Sequence, residues 1–345
     1  MTGVQTCALP ICDLRSGNIT IGGVPYLVEQ GSAFLPSPKG DLAHFATGAG
    51  WKTRFTAVNF GTGRTLARLD FTDDNGNPVT LPLTFPQTAT PAAGPLLAPT
   101  IDRSLPPNAQ VIWDIANNGA TTAQTGSTHL SSSGNYNGFI TISHEALGWS
   151  SLVPLDKNSS SSQILVFDNT GVIRTGVAIT TEQLPLSSSG LTANVSARAN
   201  VIASPVTVTI YDDTGAQIGT GTLALAASGH TSFMLDDLYP VVIGKRGWVR
   251  FSAADGFSLS IVGLRGNGGG LTTLPQLNDT GAGGGSISHF TFNAGFTSTL
   301  YILNPATTPA SFSLNFYDDT GAPLTCEPSR TCQSTLPLSW SKARR

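Results

Sequence analysis

Charge is scarce in this 345-residue chain: 11% of residues are Asp, Glu, Lys or Arg, against about 25% in an average soluble protein. The formal net charge is −3, so there is no basic footprint for nucleic acid or an anionic lipid surface. No apolar run reaches the roughly 18 residues that a membrane-crossing helix needs, and membrane insertion is not expected. Cysteines number four and histidines five. His44, His129, His144, His230 and His289 lie far apart in the sequence, outside metal-pair spacing. A G-x-S-x-G nucleophile elbow and a Cys–His nucleophile pattern are also missing. Gly61-x-Gly63 and Gly268-Gly269-Gly270 open no helix, which leaves phosphate cradling without a basis. These absences argue against an enzyme and imply no cofactor.

What is present is turn residues and alternation. The chain has 38 Gly and 22 Pro, yet 40% of it is hydrophobic, which argues against disorder. A short acidic turn occurs three times: Phe71-Thr72-Asp73-Asp74-Asn75-Gly76, Ile210-Tyr211-Asp212-Asp213-Thr214-Gly215 and Phe316-Tyr317-Asp318-Asp319-Thr320-Gly321. Each copy follows alternating apolar and polar residues and precedes another apolar run. Asp opening the turn and Gly at the positive-φ position give a hairpin signature. Asp213-Thr214-Gly215 and Asp319-Thr320-Gly321 also spell the aspartic-protease triplet, but that chemistry needs two carboxylates about 3 Å apart. EF-hand calcium binding would need alternating oxygens and a terminal Glu that this turn lacks.

The segment His44–Thr80 aligns without a gap on His289–Thr325, with Asn59 matching Asn304 and Phe71 matching Phe316. A middle copy runs through Val206, Val208 and Ile210 into Asp212. The second halves match as well: Leu105-Pro106-Pro107-Asn108 lines up with Leu225-Ala226-Ala227-Ser228. These repeats predict an all-β chain of tandem Ig-like antiparallel β-sandwich modules at 41–156 and 160–277. A Gly-rich linker follows at 278–286, then an incomplete third module at 287–345 that cannot cover its own apolar face.

Three resemblances add a setting. Residues 1–11, MTGVQTCALPI, resemble the translation of a sequencing adapter and are set aside from fold reasoning. On that reading a secretion signal would have been lost upstream. Ile19, Ile21, Val24, Tyr26 and Val28 alternate across Gly22-Gly23, and residues 12–32 resemble the closing hairpin of a BACON-type domain. The middle copy carries Phe167-Asp168-Asn169-Thr170, Asp213-Thr214-Gly215-Ala216, Gly229-His230-Thr231-Ser232-Phe233 and Arg246-Gly247-Trp248-Val249. As a set these resemble Ig-like repeat modules of secreted bacterial proteins. The resemblance implies an extracellular or cell-surface location.

Few residues remain as site candidates. Sugar-binding sandwiches stack pyranose rings on aromatic faces, and Trp51, Tyr136 and Trp149 sit beside Gly- or Asn-rich turns as a candidate ligand platform. Trp113 and Trp248 lie in strand patterns and read as core. Cys326 and Cys332 either remain thiols or close a small disulfide loop worth roughly 2 kcal/mol. The expected function is therefore a non-catalytic structural, adhesion or spacer array. The alternative is a carbohydrate-binding accessory to an extracellular enzyme. Expected partners are a polysaccharide or a cell-surface protein.

Overall fold

The computed structural model describes residues 15–21, 24–30, 37–87, 94–116, 119–158, 160–183, 204–281, 285–291, 294–296, 298–324 and 338–340. Of these, 15–21, 24–30, 37–39, 183, 204 and 338–340 are described as backbone only. The segment 1–11, the turn Gly22-Gly23 and the cysteines Cys326 and Cys332 lie outside the described residues.

The chain is all-β, built from antiparallel sheets. Among the described residues two compact units separate. The first takes residues up to Asp73, with Pro78–Ser143 and Leu152–Lys157. The second takes Asp74–Asn77, His144–Ser151 and the residues from Asn158 onward. Arg15–Ile21 pairs with Val24–Gln30 as a separate two-stranded ribbon.

In the first unit a four-stranded sheet runs Ser37–Thr47, Gln124–Ser132, Thr65–Thr72, Thr100–Leu105. A six-stranded sheet runs Trp149–Pro154, Tyr136–His144, Trp51–Asn59, Gln110–Ile115, Leu81–Thr84, Leu96–Ala98. Alternation places Phe55 and Ala57 inward on one sheet and Leu69 and Phe71 inward on the other, all buried. Phe55 stacks on Trp113 at 5.6 Å and meets Phe71 from the opposite sheet at 5.4 Å. Aromatic contacts thus tie the two layers together.

In the second unit a five-stranded sheet runs Gln217–Leu225, Ser204–Asp212, Arg246–Ser252, Ser162–Asp168, Leu277–Asn278. A four-stranded sheet runs His230–Met234, Arg174–Gln183, Phe257–Gly266, Leu271–Pro275. Leu165, Phe167, Val208 and Val249 of the first sheet share one core with Val177, Ile179 and Ile261 of the second. This is a sandwich-like arrangement. Leu235 and Val242, from two short helical turns, are fully buried within that core.

The segment 285–324 behaves differently. Alternation predicts strands through Leu300 and Ile302 and through Leu314 and Phe316, as at the aligned residues 55–57 and 69–71. Among its described residues the one named strand is Ala310–Phe312, paired with Leu338–Trp340. Ile302 is exposed and Leu300 and Phe316 are half-buried, whereas their aligned counterparts Ala57, Phe55 and Phe71 are almost wholly buried. A strand pattern needs a facing layer to bury its apolar side, and the described part of this segment has none over those residues.

Candidate functional site

The acidic turns carry paired carboxylates beside a glycine. Asp212 Oδ1 accepts hydrogen bonds from the Thr214 hydroxyl at 2.6 Å, the Thr214 amide at 2.9 Å and the Ala216 amide at 3.0 Å. Asp318 Oδ1 accepts the same three, from Thr320 at 2.7 and 2.9 Å and from Ala322 at 2.9 Å. Gly215 and Gly321 take φ of 79° and 82°. Asp168 repeats part of the pattern, accepting from the Thr170 hydroxyl at 2.6 Å and amide at 3.1 Å. In each case the first Asp shapes the loop. Asp213 and Asp319, the carboxylates of the protease-like triplets, point outward into solvent. Burial alone would push the Asp212 carboxyl up, but the Thr214 and Ala216 donors outweigh it and hold it below the usual carboxylate range.

A second cluster was invisible in the sequence. Asp41 and His129 are direct cross-strand partners, and His129 Nδ1 lies 2.7 Å from Asp41 Oδ1. An ionised carboxylate can only accept, so the imidazole donates. Thr72 Oγ1 lies 3.4 Å from His129 Nε2 and 2.9 Å from Ser127 Oγ. Carboxylate, imidazole and hydroxyl thus follow one another as in a nucleophile relay. All four residues are buried, however, with Ser127 fully enclosed. A nucleophile must reach a substrate, so this arrangement works as a hydrogen-bonded polar patch within the first unit.

Of the proposed ligand platform, Tyr136 needs correction. It is 1% exposed, and its hydroxyl donates to the Thr65 carbonyl at 3.1 Å. Burial pushes the phenol up from its ordinary pKa. A wholly buried ring cannot stack on a sugar; Tyr136 opens the strand Tyr136–His144 with its side chain enclosed. Trp51 begins the strand Trp51–Asn59, and Trp149 follows the single helical turn Glu145–Leu147; each is half-buried. Trp113 sits in the core as expected.

Trp248 is buried on the opposite side of its sheet from the core. It packs with Ile164, Val166 and Tyr211, while its neighbours Val249 and Phe251 point inward. Tyr211 and Trp248 face each other across adjacent strands, with ring centroids 4.0 Å apart and planes within 11°. Gly247 permits this approach, since a Cβ there would lie 2.0 Å from the Tyr211 carbonyl oxygen. The Arg250 guanidinium sits 5.4 Å from the Trp248 ring and bonds Asp279 at 2.7 Å. A small cavity of about 110 Å³ lies between this aromatic pair and residues 304–308.

At the end of the same face lies Asp168, almost wholly buried. Its Oδ2 receives Arg246 Nε at 3.2 Å and the Tyr301 hydroxyl at 3.2 Å, with Arg265 Nη2 at 3.7 Å. Burial would raise this carboxyl, but Thr170 and Arg246 together hold it low. Burial, followed by Asp168 itself, raises the Tyr301 phenol. The group is therefore an anchoring ion cluster with one phenolic donor. Asp168 and Tyr301 are 133 residues apart, and no local spacing announces their contact.

On the outer face of the first unit's six-stranded sheet, a polar groove of about 460 Å³ runs among Lys52, Arg54, Thr84, Asp114 and Thr141. Its one guanidinium fork, on Arg54, is engaged by Asp114 at 2.7 and 2.9 Å. No protein-family model matches the sequence, and neither a curated protein nor a solved structure matches it.

Proposed function

We propose that the chain is a series of Ig-like β-sandwich modules, acting as non-catalytic structural, adhesion or spacer elements of a larger secreted or surface protein. The observation that carries this reading is the recurrence of the same local geometry at aligned positions. The turns at Asp212 and Asp318 make the same three side-chain hydrogen bonds. Asn59 donates to the Gly63 carbonyl and accepts from the Gly61 amide; Asn304 does the same with Thr308 and Ala306. Ala49 and Ala294 share φ near 48°, and Asn108 and Ser228 take φ of 58° and 56°. Polar residues repeated in this way shape loops, which is what repeated scaffolding requires.

Retention of residues 41–277 on a panel of polysaccharides tests the reading. The spacer function predicts no specific retention. Retention abolished by Trp51→Ala or Trp149→Ala would replace it with a carbohydrate-binding accessory role, the partly exposed indoles being what that alternative has in its favour.

A further inference from the structure

We propose that the outer face of the five-stranded sheet is a docking surface for the stretch Tyr301–Thr308, and that it selects this stretch by side chains its aligned counterpart lacks. Three contacts form the clasp. Tyr301 donates its hydroxyl to Asp168 Oδ2 at 3.2 Å. Tyr301 and Leu303 pack against the patch of Ile164, Val166 and Trp248. Arg250 Nη2 reaches the Pro305 carbonyl at 3.5 Å while its Asp279 ion pair fixes the guanidinium. Residues 298–309 belong to no named strand. The stretch is therefore held through side chains, unlike a strand added to the sheet by a backbone ladder.

The selectivity follows from the aligned residues. Asn59 and Asn304 build the same loop, so the loop itself does not discriminate. The positions that touch the sheet do. Where the later stretch has Tyr301 and Leu303, the earlier one has Thr56 and Val58, whereas the Pro305 contact uses a backbone carbonyl that the aligned Phe60 also has. Thr56 and Val58 are strand residues within the first unit's own sheet. Thr lacks the reach and the aromatic area of Tyr, and Val presents less apolar surface than Leu. The partner that fits this surface is thus a Tyr-x-Leu-Asn-Pro stretch supplied by the same chain. Its role rests on the spacer reading: a clasp of this kind fixes how the later segment lies on the sheet that precedes it.

The test uses the full chain. The double substitution Tyr301→Thr with Leu303→Val grafts the earlier residues onto the later stretch. Expected results are a red-shifted indole emission with increased acrylamide quenching, and faster chymotryptic cleavage after Phe296. The spectral changes should vanish in a Trp248→Phe background, which assigns them to Trp248. Tyr301→Phe, which keeps the ring, should give a smaller change of the same sign. Emission and cleavage unchanged in the double variant would overturn the clasp. So would Trp248 emission in the unsubstituted chain that shifts to the blue with rising protein concentration, because the occupant would then be a second copy. Either failure leaves the spacer reading standing, whereas polysaccharide retention overturns that reading without moving Trp248 emission.

Discussion

Asp212 accepts the hydroxyl of Thr214 at 2.6 Å, and this short bond closes the turn that delivers the chain from one strand of the second unit to the next. Adjacent Asp213 takes no part in it. Asp212→Ala should lower stability by about 1 kcal/mol, as loss of a capping acceptor does at a solvated site. Asp213→Asn should stay within roughly 0.5 kcal/mol of the parent. Gly215→Val should cost about 1–2 kcal/mol because φ is 79° there, although open space surrounds the position. Urea denaturation of the three variants gives the comparison, and a larger loss for Asp213→Asn than for Asp212→Ala would contradict the turn geometry.

Acid should unfold the protein in a particular window. The carboxyls of Asp168 and Asp212 are depressed by donors that outweigh burial, and that of Asp236 chiefly by its Arg174 hydrogen bond. A carboxyl with a folded pKa below its unfolded value stabilises fully above the unfolded value, and that contribution disappears as pH falls through the folded one. The melting temperature should therefore hold steady down to about pH 4 and fall below it. Asp168→Asn should start from a lower melting temperature and show a shallower acid fall. A parallel decline in both proteins would remove Asp168 from the explanation.

Tyr136 and Trp113 separate core from surface roles. Tyr136→Phe removes one buried hydrogen bond and should cost about 1 kcal/mol. Trp113→Ala opens a cavity against Phe55 and should cost about 3–5 kcal/mol. Neither change should create or remove affinity for a polysaccharide. Wild-type stability in Trp113→Ala would show that the indole is not packed as described.

Much of this was legible locally. The D-x-T-G turns, the alternation of Phe55 with Ala57 and of Leu69 with Phe71, and the core position of Trp113 all follow from spacings of a few residues. The Gly and Asn neighbours of Tyr136 mark a turn, but a turn does not say whether the ring beside it is enclosed, and this one is 1% exposed. The alternation around Trp248 marks a strand, but not which side of the sheet faces the core. Ile164, Val166, Tyr211 and Trp248 give the outward face an apolar patch, and Tyr301 and Leu303 of another stretch of chain pack on it.

The sequence alone determined that the chain would be all-β and turn-rich, because period-two alternation and positive-φ glycines are encoded within a few residues. Tertiary structure decided which polar groups meet. Asp41 finds His129 and Asp168 finds Tyr301 only through strand register and the packing of distant segments. Such contacts depend on which strands become neighbours, and strand order is set by burying two apolar faces against each other, a global property that no local spacing contains.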